Sequence, residues 1–125
     1  MAVRCLIVDD DDGFLDVARD LLEREQINVV GVASNSAGAI RLMAAARPDV
    51  MLIDVNLGEE SGFDLVDSIS DGTAPAPPIL ILISTYTLDD YIDLPVPGAT
   101  AFVRKSELSG TAIRRILVDA GERGR

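Results

Sequence analysis

Two groups of aspartates in this chain follow apolar runs, and both could carry chemistry. Asp9 and Asp10 come directly after the apolar residues 5–8 and begin a run of four aspartates that ends at Asp12. Asp54 comes directly after the apolar residues 50–53. An apolar run without alternation is typical of a strand buried on both faces of a parallel sheet, whose carboxyl edge is where ligands bind. We therefore expect these carboxylates to meet at one edge.

Two later strands are expected to add a hydroxyl group and an ammonium group to this edge. Ser84 follows the apolar residues 79–83, and Lys105 follows a short apolar stretch at residues 99–103. Carboxylates that lie close together repel one another unless a cation joins them. Hard oxygen ligands suit Mg²⁺, which keeps coordination positions that phosphate oxygens can fill. Together these residues predict a phosphoryl-transfer site that holds Mg²⁺ and has Asp54 as the acceptor.

Each of these residues also has an ordinary structural interpretation. Asp54 could be a turn residue that caps the next helix. The aspartate run could be a helix N-terminal cluster favoured by the helix dipole. Lys105 could be a solvated surface lysine and Ser84 a loop hydroxyl. Their joint occurrence after the first, third, fourth and fifth predicted strands favours the site.

The elements that must position these residues alternate between strand and helix. Strands are predicted at residues 3–8, 27–33, 50–53, 79–83 and 99–103. A first helix is predicted at residues 13–26, and Ser36 and Ser61 are expected to be the N-caps of the second and third helices. Ile113, Ile116 and Leu117 mark a last helix. Residues 71–78 are expected to form a loop, and Pro95 and Pro97 leave room only for a short or irregular fourth helix at residues 88–94.

This alternation predicts an α/β fold, a doubly wound parallel sheet with helices on both faces. A chain of 125 residues fits a single domain, which we expect at residues 1–121 with a C-terminal tail at residues 122–125.

Composition restricts the expected partners and location. The net charge of −10 argues against direct nucleic-acid binding by this domain, because phosphate contacts need clustered Lys and Arg. No apolar run reaches about 18 residues and no signal peptide is visible, so we expect a cytoplasmic protein with no membrane contact. The single cysteine, Cys5, lies in an apolar run and is expected to be a buried, reduced thiol.

The chain resembles the receiver domain of two-component response regulators, of the chemotaxis-regulator type. The similarity rests on residues 6–10, 48–57 and 83–84, and on the segment from Gly98 to Lys105. It implies a flavodoxin-like fold with five parallel strands in the order 2-1-3-4-5. It also implies that a sensor histidine kinase or a phosphotransfer protein donates a phosphoryl group to Asp54. The chain itself contains no histidine, so the donor must be another molecule.

The resemblance also assigns roles to individual residues. Asp10 and Asp54 would bind Mg²⁺ directly, together with the backbone carbonyl of Asn56, while Asp9 would act through water. Four consecutive aspartates leave a shift of one residue open in this assignment. Lys105 would pair with Asp54 before phosphorylation and with the phosphoryl oxygens afterwards.

Ser84 and Phe102 would form the switch in such a domain. Ser84 would move toward the phosphate, and Phe102 would then turn inward, although Phe102 could instead be a permanently buried core ring. The surface made by helix 4, strand 5 and helix 5 would change and act on a downstream effector protein or an output domain. The sequence leaves homodimerisation open.

Three departures from the family pattern bear on this interpretation. Ser106 follows the lysine where relatives usually have a proline in a cis bond, Thr85 stands where Ala or Gly is usual, and the prolines interrupt the fourth helix. The alternative function is a pseudo-receiver that serves as an interaction module without phosphorylation. A haloacid-dehalogenase-type phosphatase would need an aspartate where Asn56 stands, so we expect no turnover enzyme, only assistance to the domain's own phosphorylation and dephosphorylation.

Overall fold

A computed structural model describes residues 3–70, 78–85 and 99–123, and within them five parallel strands form one sheet. The third strand lies at the centre of the sheet, between the first and the fourth. The spatial order is second, first, third, fourth, fifth, which confirms the predicted 2-1-3-4-5 flavodoxin-like arrangement. In chain order the strands are Arg4–Val8, Asn28–Ala33, Val50–Asp54, Ile79–Ser84 and Ala101–Arg104.

Four helices accompany the sheet in the described part of the chain. The first three are Asp12–Arg24, Ser36–Ala46 and Gly62–Ile69, and the C-terminal helix is Gly110–Arg123. Its backbone extends into the range that we expected to be a tail. Each of the first three helices follows a strand, as the alternating pattern predicted. A 3-10 turn at Lys105–Glu107 separates the fifth strand from the C-terminal helix.

Two apolar cores lie on opposite faces of the sheet, because neighbouring residues of a strand point to opposite sides. One core joins Ile7 and Leu52 to the first helix and the C-terminal helix. The other joins Leu6 and Met51 to the second and third helices. The unbroken apolar runs of the central strands are therefore explained by burial on both faces, as predicted.

The helix caps agree with the sequence prediction at one helix and differ at another. Ser61 is the N-cap of the third helix, and its hydroxyl oxygen accepts from Phe63 N at 3.1 Å. The predicted cap Ser36 is wrong, because Asn35 caps the second helix through a 2.8 Å hydrogen bond from Gly38 N. Ser36 becomes the first helical residue instead. Asn and Ser are comparable as N-caps, so sequence could not separate two neighbouring candidates.

The ends of several elements also differ from the prediction by one to a few residues. The first helix ends at Arg24 rather than near residue 26, since Gln26 adopts a left-handed backbone with φ of 68°. Glu25 then ties this end to the C-terminal helix, because its Oε2 accepts from Gly110 N at 3.0 Å. The fifth strand begins at Ala101 rather than at residue 99.

Two predicted features lie largely or wholly outside the described residues. These are the loop at residues 71–78, of which only Pro78 is described, and the short fourth helix at residues 88–94 with Pro95 and Pro97. The Lys105–Ser106 peptide bond is trans, unlike the cis bond that is usual at this position in the family that the chain resembles. No helix among the described residues is long and apolar enough to cross a membrane.

Cys5 is expected to be inert in the folded protein. Its side chain is fully buried, and burial raises the pKa of the thiol from an ordinary value of 9.0 to about 12. The thiolate population at a given pH is therefore roughly a thousandfold lower than for an exposed thiol. A thiol-reactive probe at pH 8 should label the chain only after unfolding in urea, and prompt labelling in native buffer would contradict this expectation.

Candidate functional site

The predicted site residues meet at the carboxyl edge of the sheet. Asp9 directly follows the first strand, while Asp54 and Ser84 are the last residues of the third and fourth strands. Lys105 begins the turn after the fifth strand. Parallel strands end at the same edge, so four segments that are far apart in sequence contribute to one site.

Lys105 lies between two carboxylates. Its Nζ is 2.7 Å from Asp9 Oδ2 and 3.1 Å from Asp54 Oδ2. The Lys105 side chain is only 14% exposed, and that of Asp9 is fully buried. The contact with Asp9 Oδ2 is the shorter of the two ion pairs. The lysine thus neutralises part of a buried negative charge.

Electrostatics at Lys105 and Asp9 follow from this arrangement. Burial lowers the pKa of the Lys105 ammonium, but the contacts with Asp9 and Asp54 outweigh burial and raise it overall. Burial raises the pKa of Asp9, with a smaller contribution from the charge of Asp54, against the opposing effects of Lys105 and the backbone N–H of Asp11. Lys105 is therefore a stable cation, whereas the ionised form of Asp9 is held at some cost.

The acidic residues fit a divalent cation. One carboxylate oxygen from each of Asp9, Asp10 and Asp54 can be chosen so that all three lie within 4.8 Å of one another. All are hard oxygen donors, and Asp10 is exposed, so water can complete the coordination shell that Mg²⁺ prefers. The donor set and its access to solvent suit Mg²⁺.

The aspartate run is divided between the site and the first helix. Asp9 Oδ1 accepts from Asp11 N at 2.9 Å, and Asp11 Oδ1 accepts from Phe14 N at 3.2 Å as the N-cap of the helix. Asp12 lies in the first helical turn, where its negative charge interacts favourably with the helix dipole. The helix-cluster interpretation therefore holds for Asp11 and Asp12, while Asp9 and Asp10 face Asp54.

A short hairpin supports the other oxygen of Asp54. Asn56 N donates to Asp54 Oδ1 at 3.1 Å, and Asn56–Leu57 pairs antiparallel with Glu60–Ser61. Gly58, between these short strands, has a φ of +74° and its N–H donates to Asn56 Oδ1 at 3.2 Å. The hairpin therefore holds one carboxylate oxygen of Asp54 while the lysine contacts the other.

Ser84 and Thr85 border the space next to Asp54. A cavity of about 180 Å³ is lined by Asp54, Val55, Asn56, Ser84 and Thr85. Ser84 is 2% exposed and Thr85 is exposed. The cavity gives access to the Asp54 carboxylate, and Thr85 forms part of its wall.

Phe102 lies on the fifth strand and is half-buried against the core that contains the second and third helices. Its ring centroid is 6.2 Å from that of Phe63, with the two planes tilted by 51°. Phe102 is thus neither fully enclosed nor fully in solvent.

Two residues near the site escape prediction from the sequence. The apolar pattern places Phe14 only in the stripe of the first helix, yet Lys105 Nζ lies 4.3 Å from its ring centroid. The same pattern places Gly62 only after the cap of the third helix, yet a Cβ at this position would lie 2.0 Å from the backbone oxygen of Asp54. Periodicity shows which face a residue occupies but does not reveal such contacts between distant segments.

Replacing Asp9 with asparagine is expected to stabilise the metal-free protein at neutral pH. The pKa of Asp9 is raised in the folded state. The stability that the protonated Asp9 carboxyl group contributes is therefore fully present below the unfolded-state pKa, and it is lost as the pH rises through the folded-state pKa. Asparagine removes that loss, so the variant should unfold at a higher temperature than the parent at neutral pH.

Thermal unfolding in chelator at neutral and at acidic pH tests this expectation for Asp9→Asn. The gain should shrink as the pH approaches 3.8, the ordinary value for the carboxyl group. A variant that unfolds at a lower temperature than the parent at neutral pH would refute it.

Fold and site together define a flavodoxin-like domain with an acidic, lysine-bearing site at the carboxyl edge of its sheet. Residues 5–116 match the response regulator receiver domain family, and the chain belongs to this family. It is a receiver domain of the kind found in two-component systems.

Individual relatives agree with this assignment. The chain is 34% identical over 122 residues to the DNA-binding transcriptional activator DevR/DosR of Mycobacterium tuberculosis, covering 95% of this chain and 54% of that protein. It is 31% identical over 137 residues to a protein-glutamate methylesterase/protein-glutamine glutaminase of Alkalilimnicola ehrlichii, covering 99% of this chain and 34% of that protein. The chain thus spans about half or less of the length of these relatives.

A solved structure shows the same fold. A LuxR-family two-component response regulator from Aurantimonas superposes with a TM-score of 0.81 at 23% identity, covering 95% of this chain and 87% of that chain.

Proposed function

We propose that this domain accepts a phosphoryl group on Asp54 from the phosphohistidine of a sensor histidine kinase or a phosphotransfer protein, with Mg²⁺ in the acidic cluster. The supporting observation is the position of Asp54. Its Oδ2 lies 3.1 Å from the Lys105 ammonium, and a cavity opens beside it. Two further carboxylates lie within metal-binding range.

The reaction is a transfer between two nucleophiles. A carboxylate oxygen of Asp54 attacks phosphorus, the P–N bond to the donor imidazole breaks, and the imidazole nitrogen keeps the electron pair and takes a proton from solvent. An acyl phosphate on Asp54 results. Bound Mg²⁺ would supply positive charge for the phosphoryl oxygens, held by Asp10, Asp54 and the Asn56 carbonyl, with Asp9 acting through water.

The residues of the chain perform the remaining tasks. Lys105 offers a fixed cation to the phosphoryl oxygens, and the Ser84 hydroxyl donates to one of them. The Asn56 N–H holds the carboxylate oxygen Oδ1, so the acceptor is oriented before the donor arrives. Little reorganisation is then needed during transfer.

Signal output would follow from the same contacts. Movement of Ser84 toward a phosphoryl oxygen vacates space near the fifth strand, and the half-buried Phe102 turns into it. The changed surface of the fifth strand and its neighbouring helices then acts on an effector protein or output domain. The contact of Phe102 with Phe63 is what this rotation would change.

Phosphorylation with acetyl phosphate and Mg²⁺ tests the proposal. Intact-mass measurement should show one added phosphoryl group on the parent protein and none on Asp54→Ala. A matched control is Asp64→Ala, which removes an exposed carboxylate in the first turn of the third helix and should be phosphorylated like the parent. Uptake that persists in Asp54→Ala would show that Asp54 is not the acceptor, and no uptake by the parent would leave the phosphorylation-independent interaction module.

A further inference from the structure

We propose that Phe14 is a positioning residue for phosphoryl transfer, in that its ring holds the Lys105 ammonium where it can reach both Asp54 and the incoming phosphoryl group. This inference rests on the proposed function. It assigns to the first helix a role in the reaction beyond the packing of its apolar face.

The contact is a cation–π interaction that involves a largely buried ammonium group. Lys105 Nζ lies 4.3 Å from the Phe14 ring centroid, well within the distance at which such pairs attract. The lysine side chain is 14% exposed. Reduced exposure strengthens the attraction, because less water competes for the cation.

Phe14 is held in place by groups other than the lysine. Its backbone N–H donates to Asp11 Oδ1, and the Asp11 N–H donates to Asp9 Oδ1. The ring also packs partly buried against the core that includes Leu15 and Ile113. The aromatic surface is therefore in position whether or not the lysine contacts it.

The Phe14 ring matters because Lys105 contacts two carboxylates whose roles differ. The shorter contact, 2.7 Å, is with Asp9, and the 3.1 Å contact is with the acceptor Asp54. A lysine side chain has several rotatable bonds, so its ammonium would follow the nearer charge if nothing else limited it. The ring restricts the ammonium to a position that keeps Asp54 within reach.

Three variants separate the aromatic contact from simple packing. Phe14→Leu keeps an apolar side chain but removes the π surface, and Phe14→Tyr keeps that surface. With acetyl phosphate at saturating Mg²⁺, we expect Phe14→Leu to be phosphorylated about threefold to thirtyfold more slowly than the parent, and Phe14→Tyr to stay within about twofold. In a Lys105→Met background, adding Phe14→Leu should cause no further decrease.

Nuclear magnetic resonance of the unphosphorylated protein gives a readout that does not depend on turnover. The ε-methylene protons of Lys105 should show an upfield ring-current shift in the parent and in Phe14→Tyr that Phe14→Leu loses. Thermal unfolding establishes that each variant is folded at the assay temperature, and Phe14→Met replaces Phe14→Leu if the latter is not.

The outcomes distinguish this inference from the proposed function. A parent protein that takes up no phosphoryl group overturns the proposed function and the role of Phe14 with it. Equal rates for the parent and a folded Phe14→Leu variant overturn the role of Phe14 alone. The same conclusion follows if Phe14→Tyr is as slow as Phe14→Leu, or if the parent lacks the ring-current shift.

Discussion

Replacing Gly62 with alanine is expected to destabilise the domain by more than about 3 kcal/mol and to abolish phosphorylation of Asp54. A Cβ at this position would lie 2.0 Å from the backbone oxygen of Asp54 and 2.9 Å from the Cα of Val55. These are backbone atoms, so no side-chain rotation relieves the overlap. Either the third helix moves away from the sheet or the end of the third strand is displaced, and Asp54 loses its place beside Lys105.

Urea unfolding and intact-mass measurement after acetyl phosphate treatment would test the effect of Gly62→Ala. Gly38→Ala is the matched control, because Gly38 lies inside the second helix and a Cβ there would meet only the side chains of Asn35 at 3.3 Å and Ala33 at 3.6 Å. There the gain in helix propensity of about 1 kcal/mol offsets a small adjustment of the Asn35 side chain. A Gly62→Ala variant as stable and as active as Gly38→Ala would show that the strand and helix can separate without affecting the site.

Replacing Lys105 with methionine is expected to slow phosphorylation of Asp54 by about 10²–10³-fold, the effect of removing one fixed group that stabilises developing charge. Methionine keeps much of the length and apolar volume of the lysine but carries no charge. The Asp9 and Asp54 carboxylates then lose their shared cation, with contacts of 2.7 and 3.1 Å. The phosphoryl oxygens also lose the ammonium that would receive them.

Arg104→Met is the control for this prediction. It removes the positive charge of the residue that precedes Lys105 and leaves the Lys105 ammonium in the site. Arg104 pairs at 3.8 Å with Glu107, and both side chains are substantially exposed, so its loss should change the rate by less than about twofold. Rates would be measured at saturating Mg²⁺ with acetyl phosphate. Similar rates for Lys105→Met and Arg104→Met would mean that Lys105 does not contribute to transfer.

Calorimetric titration of the same variants with Mg²⁺ distinguishes the loss of the lysine charge from a general loss of the site's structure. Lys105→Met removes a cation from beside the acidic cluster, so Mg²⁺ affinity should rise while the phosphorylation rate falls. A parallel loss of both would instead point to a collapsed site. Arg104→Met, which leaves the cluster unchanged, should bind Mg²⁺ like the parent.

Sequence pattern predicted the sheet well because its central strands are apolar on both faces. Runs such as residues 50–53 and 79–83 have few alternatives once their length and flanking polar residues are considered. The strand order was available only through the resemblance to receiver domains. Element ends were less accurate, as the cap at Asn35 and the left-handed Gln26 show, because neighbouring residues differ little in their local preferences.

The aspartate run shows where local pattern stops being informative. Four identical residues could not be assigned individually, yet each has a different environment in the fold. Asp9 is fully buried, Asp10 is exposed toward the cluster, Asp11 caps the first helix and Asp12 lies in its first turn. Their environments differ because of the geometry of the turn between the first strand and the first helix, which the periodicity of the sequence does not specify.

By itself, the sequence determined which residues end the strands and therefore that Asp9, Asp54, Ser84 and Lys105 gather at one edge, since all parallel strands finish there. Tertiary structure alone decided the contacts among them. The unequal distances from Lys105 to its two carboxylates, the ring of Phe14 beside the ammonium and the close approach of Gly62 to Asp54 depend on how helices pack on the sheet. Packing of this kind involves residues distant along the chain, and local sequence preferences carry no record of it.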